Sequence, residues 1–323
     1  MKILIIGAAG MVGQKLVQRL CVEGKLGDQA ITSARLYDVV APPQPDAPFD
    51  VTCQAGDLSD PQQATTLVAD KPDVIFHLAA IVSGEAETDF DKGYRINLDG
   101  TRYLFDAIRQ QAYNPRVVFT SSIAVFGAPF PEAIGDDFLN APLSSYGVQK
   151  ACSELLLMDY TRKGFFDGIA LRLPTIVIRP GKPNKAASSF FSNILREPLV
   201  GEGAVLPVSR DVRHWMASPQ AAAGFLIHAA TMDLEPVGPR RALTLPGISV
   251  TVGEMIEALQ RVAGPDRVAL IREEPDELVN RLVTGWPRNF DAARATALGF
   301  VADRSIDDII RLHIDNELDG RIA

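Results

Sequence analysis

Between Lys2 and Ile178 the hydrophobic pattern changes period repeatedly, and that alternation leaves few folds open. Short apolar runs read as strands: Lys2 to Ile6, Ala34 to Val39, Val51 to Gln54, Asp73 to Leu78, Arg116 to Thr120 and Gly168 to Ile178. Helical spacing fills the gaps. Val12 to Cys21 sets Val12, Leu16, Val17 and Leu20 on one face, and Pro61 to Asp70 starts with proline in its first turn. Tyr94 to Gln111 and Ser145 to Lys163 are longer helices. Near-continuous apolar strands are buried on both faces. Repeated strand–helix units with right-handed crossovers build a parallel sheet with helices on both sides. The expected class is α/β, a doubly wound parallel sheet.

After Arg179 the pattern loosens. Pro180, Pro183, Pro198 and Pro207 punctuate a stretch of little periodicity. Trp215 to Thr231 reads as an Ala-rich helix, Ala242 to Leu245 as the last strand of the main sheet, and Thr251 to Ala263 and Ile306 to Leu318 as helices. The expected division is a nucleotide-binding domain of residues 1–178 and 213–247, with a smaller α/β lobe of 179–212 and 248–323. At 323 residues the chain has room for both. The Pro-rich segment Ala41 to Pro48 reads as a loop.

Between the first strand and first helix stands Gly7-Ala8-Ala9-Gly10-Met11-Val12-Gly13. Glycines there let the backbone approach a pyrophosphate, and the helix start supplies free N–H groups and partial positive charge. The sheet is thereby expected to be Rossmann-type, with Gly7, Gly10, Met11, Val12 and Gly13 at the cofactor. Asp38 ends the second strand, where a carboxylate accepts from both ribose hydroxyls and repels a 2′-phosphate, favouring NAD. Asp57 and Leu58 follow the third strand and suit an adenine edge and face; Ala79 lies just past the fourth. His77 reads as a packed strand residue.

Tyr146 and Lys150, four apart, share a helix face. A tyrosine with a pKa of ~10 is a poor base at neutral pH, and a nearby ammonium lowers that value. Ser122, at the end of the fifth strand, is expected at the carboxyl edge of the sheet, where such folds bind ligands.

These residues resemble the extended short-chain dehydrogenase/reductase family, which also contains nucleotide-sugar epimerases and dehydratases. The likeness rests on G-A-A-G-M-V-G at 7–13, G-D-L at 56–58, H-L-A-A at 77–80, N-L-D-G-T at 97–101, T-S-S-I-A-V-F-G at 120–127, S-Y-G-V-Q-K at 145–150 and D-A-A-R-A-T-A-L-G-F at 291–300. It implies Tyr146 as acid–base, Lys150 as its partner and ribose anchor, and Ser122 as holder of the substrate hydroxyl. It also implies Asn97 as a prop for the active-site helix beside the cofactor, and helices 94–111 and 148–163 as a dimer interface.

One departure is informative. Nucleotide-sugar members read L-R-Y-F-N-x-x-G-P after the sixth strand, the Asn gripping the nucleotide; here Thr175 holds that place in L-R-L-P-T-I-V-I-R-P-G. The segments 179–188 and 211–215 resemble a sugar-acid branch of the family. That implies oxidation of the 2-hydroxyl of a four-carbon sugar acid, D-erythronate, to the 2-oxo acid. Basic residues gather in the same region of an acidic chain, and a small carboxylate needs one such partner. The candidate substrate contacts are Ser83, Thr175, Arg179, Lys182, Arg210 and Arg213, with Lys185 in the same basic group. His214 either contacts substrate or packs beside Trp215. The alternatives are a nucleotide-sugar epimerase or dehydratase and, remotely, a non-enzymatic dinucleotide sensor, which would not need Ser122, Tyr146 and Lys150 together.

The remaining composition narrows the partners. Lys and Arg total 32 against 40 Asp and Glu, a net charge of −8 that argues against nucleic acid and anionic membranes. Cys21, Cys53 and Cys152 are odd in number and far apart, arguing against a disulfide framework or a metal site. No apolar run approaches the ~18 residues of a membrane span. The glycine turn interrupts the apolar start, so no signal peptide is read and a cytoplasmic enzyme is expected.

Overall fold

The computed structural model describes residues 1–181 and 188–322, apart from the side chains of Leu278 and Thr284. The central sheet contains β1 (Lys2–Ile6), β2 (Ser33–Asp38), β3 (Asp50–Ala55), β4 (Val74–His77), β5 (Arg116–Ser122) and β6 (Asp167–Leu173). Strands outside it include β7 (Thr175–Ile176), β8 (Ala204–Leu206) and β9 (Arg213–Ala217). β10 (Ala242–Thr244) returns to it, while β11 (Ile248–Thr251) and β12 (Ile271–Glu273) do not. The main helices are α1 (Met11–Glu23), α2 (Pro61–Val68), α3 (Ser83–Thr88), α4 (Gly100–Gln111), α5 (Ser145–Arg162), α6 (Ser189–Leu199), α7 (Pro219–Thr231), α8 (Val252–Ala263) and α9 (Ile306–Glu317).

The sheet runs in the order β10-β6-β5-β4-β1-β2-β3, and every pair is parallel. The order reverses between β1 and β4, so that point on the carboxyl edge is the ligand crevice of such a sheet. Side chains alternate across β1. Ile3 and Ile5 join the core made with Leu16, Val17 and Leu20 of α1 and Phe225 and Leu226 of α7. Leu4 and Ile6 join the opposite core with Leu67 of α2, Leu104 and Phe105 of α4 and Leu157 of α5. Each such side chain contributes ~1.5–3 kcal/mol by burial, which fixes the register of the sheet and the height of its carboxyl edge.

Three expectations are corrected. The sixth strand does not run to Ile178: Pro174 has no N–H to continue the ladder, and Thr175–Ile176 leave to pair with β9 in a three-stranded sheet β11-β9-β7. Trp215 to Ala217 are strand, not helix; the helix begins after Ser218, whose hydroxyl accepts from Ala221 N–H at 3.0 Å with Pro219 in the first turn. The helix expected over 94–111 starts as a π-helical segment, Tyr94–Asp99, before α4. The stretch after Arg179 also contains α6, whose Phe190, Phe191, Ile194, Leu195 and Leu199 pack with Met255, Ile256 and Leu259 of α8 and Ile309 and Ile310 of α9 in a separate core.

All three cysteines are free. No helix among the described residues is long and apolar enough to cross a membrane. Among these residues no group of three or more His, Cys, Asp or Glu is placed to hold a metal ion.

Candidate active site

The glycine turn is built for close approach. Gly7 has φ +94°, a left-handed conformation that favours glycine, and a Cβ there would lie 2.6 Å from Ala79 N. A Cβ on Gly13 would overlap the Gly7 carbonyl, so glycine lets α1 dock against the turn. Gly7 and Ala8 N–H donate to Tyr37 O at 2.8 and 3.1 Å, tying the turn to β2. Gly10 caps α1 without a side-chain bond, and the first turn contains no acidic residue. Among the described residues nothing accepts from Met11 or Val12 N–H. A bare 13-residue helix start facing a glycine turn fits a diphosphate.

Asp38 lies beside this turn. Its Oδ2 accepts from Ala9 N–H at 2.9 Å and its Oδ1 from Val39 N–H at 2.7 Å, which fixes the carboxylate and leaves lone pairs for hydroxyls. Asp57 Oδ1 accepts from Ser59 N–H at 2.9 Å. Leu58 is buried in the core with α2 and α4, so only its edge and backbone remain for a ligand. Ala79 N–H donates to Ile6 O at 3.0 Å across the switch point.

Ser122 ends β5 in extended conformation, and its Oγ accepts from Ala124 N–H at 3.1 Å. The Ser144 hydroxyl caps α5 by accepting from Gly147 N–H at 3.2 Å, and a side chain on Gly147 would overlap Ala124 O. The helix start therefore sits directly on the turn after Ser122. This brings the Tyr146 phenol within reach of the Ser122 hydroxyl. One turn further, Lys150 is buried; its Nζ donates to Thr120 O at 2.8 Å and lies 5.7 Å from the Tyr146 ring centroid. Burial pushes the Tyr146 phenol up to about 12, opposed by the Ser122 hydrogen bond and the Arg179 guanidinium. Burial pulls Lys150 down to about 7, opposed by the Glu154 carboxylate. Arg179 thus joins Lys150, the cation expected from the sequence, as a positive charge near the phenol.

Asn97 lies in the π-helical segment and is buried. Its Oδ1 accepts from Ile81 N–H at 2.9 Å, and its Nδ2 donates to Gln149 Oε1 at 2.8 Å and Ile81 O at 3.3 Å. The amide joins the segment after β4 to α5. Its side-chain amide is engaged inside the protein, as expected of a prop for the active-site helix. His77 donates through Nε2–H to Thr101 Oγ1 at 2.9 Å, since that hydroxyl in turn donates to Asn97 O at 2.8 Å. Burial, with Lys150 nearby, holds the imidazole down to about 3, so it stays neutral as a packed strand residue.

The substrate candidates separate. Arg179 is half-buried: Nε donates to Ile176 O at 3.1 Å and Nη2 to Ser188 Oγ at 2.9 Å. Among the described residues Nη1 has no acceptor. His214 donates from Nδ1–H to Pro287 O at 2.9 Å, so its Nε2 accepts from the Thr175 hydroxyl at 2.7 Å. Burial holds His214 down to about 4, with Arg179 adding to the effect. Its ring stacks on Phe191 with centroids 5.2 Å apart. Thr175 and His214 are thus joined directly, and the Arg179 charge acts on both His214 and Tyr146. Arg210 and Arg213 are not brought to this cluster. Arg210 pairs with Glu273 at 2.7 Å, and Arg213 donates to Ser249 O at 2.8 Å and faces Glu254 at 3.4 Å, both on exposed surface. Ser83 begins α3, which docks on α5 where Glu87 accepts from Ser145 N–H at 2.9 Å; no contact joins Ser83 to Tyr146 among the described residues. Lys182 and Lys185 lie outside the described residues.

Glu154 escaped the sequence reading. It is buried and fully engaged, accepting from Ser121 Oγ at 2.6 Å, Arg172 Nε and Nη2 at 2.9 and 2.8 Å, and Asn140 Nδ2 at 3.2 Å. The signal was its position four after Lys150 and eight after Tyr146, on one helix face.

Residues 3–238 match the NAD dependent epimerase/dehydratase family. A D-erythronate dehydrogenase of Cupriavidus necator is 47% identical over 320 residues, covering 98% of each chain. One from Haemophilus influenzae is 43% identical, covering 98% of this chain and 100% of that protein. A crystal structure described as a nucleoside-diphosphate-sugar epimerase from Agrobacterium tumefaciens is 62% identical with a TM-score of 0.98, covering 100% of this chain and 96% of that one.

Proposed function

Because the chain belongs to the NAD dependent epimerase/dehydratase family, we propose that it is an NAD-dependent oxidoreductase converting D-erythronate to 2-dehydro-D-erythronate. The observation that carries the substrate class is Arg179: a guanidinium whose Nη1 has no acceptor among the described residues and whose charge acts on the acid–base tyrosine. A hydroxy acid offers the two groups this pair needs, a carboxylate for Arg179 and an adjacent hydroxyl for Tyr146.

The cofactor is NAD, which when bound supplies the two-electron acceptor. In the proposed arrangement Met11 and Val12 N–H and the glycine turn hold its diphosphate, Asp38 one ribose, Asp57 and Leu58 the adenine, and Lys150 the other ribose. Ala79 keeps the sheet edge low enough for the dinucleotide to cross. Ser122 orients the substrate's 2-hydroxyl, and Tyr146 Oη takes its proton. Proton removal needs the phenolate, so the high position of the phenol makes the free protein a weak base at neutral pH. Lys150 and Arg179 are the two cations close enough to favour the phenolate. Asn97 and Gln149 keep α5 in register beneath the site.

The Agrobacterium structure's description favours a second reading, nucleotide-sugar epimerisation. Against it, Thr175 replaces the Asn typical of that branch, and its hydroxyl proton is committed to His214. The test is a panel of sugar acids with NAD, followed by NADH absorbance. D-erythronate should give NADH and erythritol almost none. UDP-glucose and UDP-galactose should neither react nor compete at millimolar level. Their interconversion without added NAD would replace this reading with the second. We further propose a lobe division at 1–178 with 213–247 against 179–212 with 248–323, a homodimer through helices 94–111 and 148–163, and action in the cytoplasm.

A further inference from the structure

Arg179 is held by one face of one helix. Ser188 caps α6, and Ser192 and Arg196 follow at four-residue intervals. Each takes a different part of Arg179. Ser188 Oγ accepts from Nη2 at 2.9 Å, Ser192 Oγ accepts from the backbone N–H at 3.1 Å, and Arg196 Nη1 donates to the backbone carbonyl at 2.7 Å. Successive turns of a helix thus fix the side chain and both backbone groups of a single residue.

Arg196 is the unusual member. It is buried at 7% exposure on a helix whose other face is Phe and Leu. Its Nη2 is held by Asn193 Oδ1 at 2.9 Å and Glu197 Oε1 at 2.5 Å, so a fixed guanidinium presents Nη1 to Arg179 O. A buried arginine is costly unless every nitrogen is used. Here one nitrogen is directed at the backbone of a second arginine, close enough that the two charges repel. Such an approach lowers the cost of bringing an anion to Arg179, because the anion relieves the repulsion.

We propose that Arg196, with Ser192, is a positioning residue for substrate: it sets affinity for the carboxylate by fixing the backbone from which the Arg179 guanidinium extends. This rests on the reading of Arg179 as the carboxylate partner. The side chain of Arg196 acts through Arg179, bonding its backbone carbonyl and, on the other side, Asn193 and Glu197.

The test is a double-mutant cycle with two independent readouts. Arg196→Met should raise KM for D-erythronate about tenfold, the worth of one charge-assisted bond to the anchor, with kcat within about threefold. In the Arg179→Met background the same change should add almost nothing, because the residue it acts through is gone. Arg196→Lys should recover part of the loss, and affinity for NAD by fluorescence titration should stay within about twofold. Ser192→Ala, a smaller change in the same row, should raise KM about threefold if Arg196→Met fails to fold. In hydrogen exchange by mass spectrometry, a peptide covering 176–181 should exchange faster in the folded variants than in wild type. Additive effects of Arg179→Met and Arg196→Met, or unchanged exchange in that peptide, would overturn the positioning role while leaving D-erythronate oxidation standing. A wild-type protein that makes no NADH from D-erythronate would instead overturn the substrate reading, and the positioning role would then be decided by exchange alone.

Discussion

Replacing Arg179 with Met keeps the length of the side chain and removes its charge and donors. Two consequences follow from its surroundings. The substrate carboxylate loses a charge-assisted hydrogen bond in a half-buried cleft, worth ~1.5–3 kcal/mol. At 1.4 kcal/mol per factor of ten, KM for D-erythronate should rise ~10- to 150-fold. Arg179 is also one of two groups drawing the Tyr146 phenol down from the level burial imposes. Without it the phenolate is scarcer at any given pH, so the rising limb of kcat against pH should move to higher pH. The assay is initial NADH production across D-erythronate concentration and pH, with NAD affinity by fluorescence titration as control. Arg179→Lys should keep the charge and recover part of the pH shift, but lose the planar fork and retain a raised KM. An unchanged KM in Arg179→Met would refute the carboxylate assignment, and an unchanged pH profile would refute the electrostatic link to Tyr146.

Other outcomes are equally direct. Tyr146→Phe should cut kcat ~10²–10⁴-fold, the usual worth of a general base, with little change in NAD affinity; near-wild-type turnover would remove Tyr146 from its role. Asp38→Ala should erode the preference for NAD over NADP by weakening NAD binding, and a wild-type protein that used NADP better would contradict the role given to that carboxylate. Lys150→Met should abolish most turnover yet raise the melting temperature of the cofactor-free protein near pH 6. Folding lowers the Lys150 pKa to about 7, so between about 7 and 10.5 the folded state sheds a proton that the unfolded chain retains, while below 7 the charge stays buried. The penalty for burying the charge is complete below about 7 and fades as pH rises toward the unfolded value near 10.5. A gain of ~1 kcal/mol would appear as roughly 2 °C, shrinking with increasing pH; a lower melting temperature at pH 6 would contradict that burial penalty.

The parallel sheet was legible because its strands are buried on both faces and its helices on one, so period alone separated them. Sequence reasoning failed where a boundary depended on a single residue. Trp215-Met216-Ala217 adjoins an Ala-rich stretch, and only Ser218-Pro219, a cap and a first-turn proline, marks the change from strand to helix. Pro174 likewise ends β6 inside an unbroken apolar run. α6 was hidden by Pro198 near its end, although Phe190, Phe191, Ile194, Leu195 and Leu199 have helical spacing. Charge density pointed to the segment that contains Arg179 but did not separate Arg179 from Arg210 and Arg213. Arg210 and Arg213 face Glu273 and Glu254, partners far away in sequence, and only tertiary structure shows that they are engaged.

The same four-residue spacing explains why one half of the site was read and the other was not. On α5 the row is Tyr146, Lys150 and Glu154, and its first two members have side chains with recognisable chemistry. On α6 the row is Ser188, Ser192 and Arg196, residues common on any helix surface, and its meaning lies in what it holds. The two rows meet at Tyr146 and Arg179. The first arises beside the carboxyl edge of the sheet, where topology fixes the place of a cofactor. The second arises in the separately packed lobe and delivers an arginine to the same tyrosine. In the proposed arrangement, acid–base chemistry and substrate choice thus come from different cores. Substitutions in α6 should alter which acid is accepted before they alter whether a hydroxyl is oxidised.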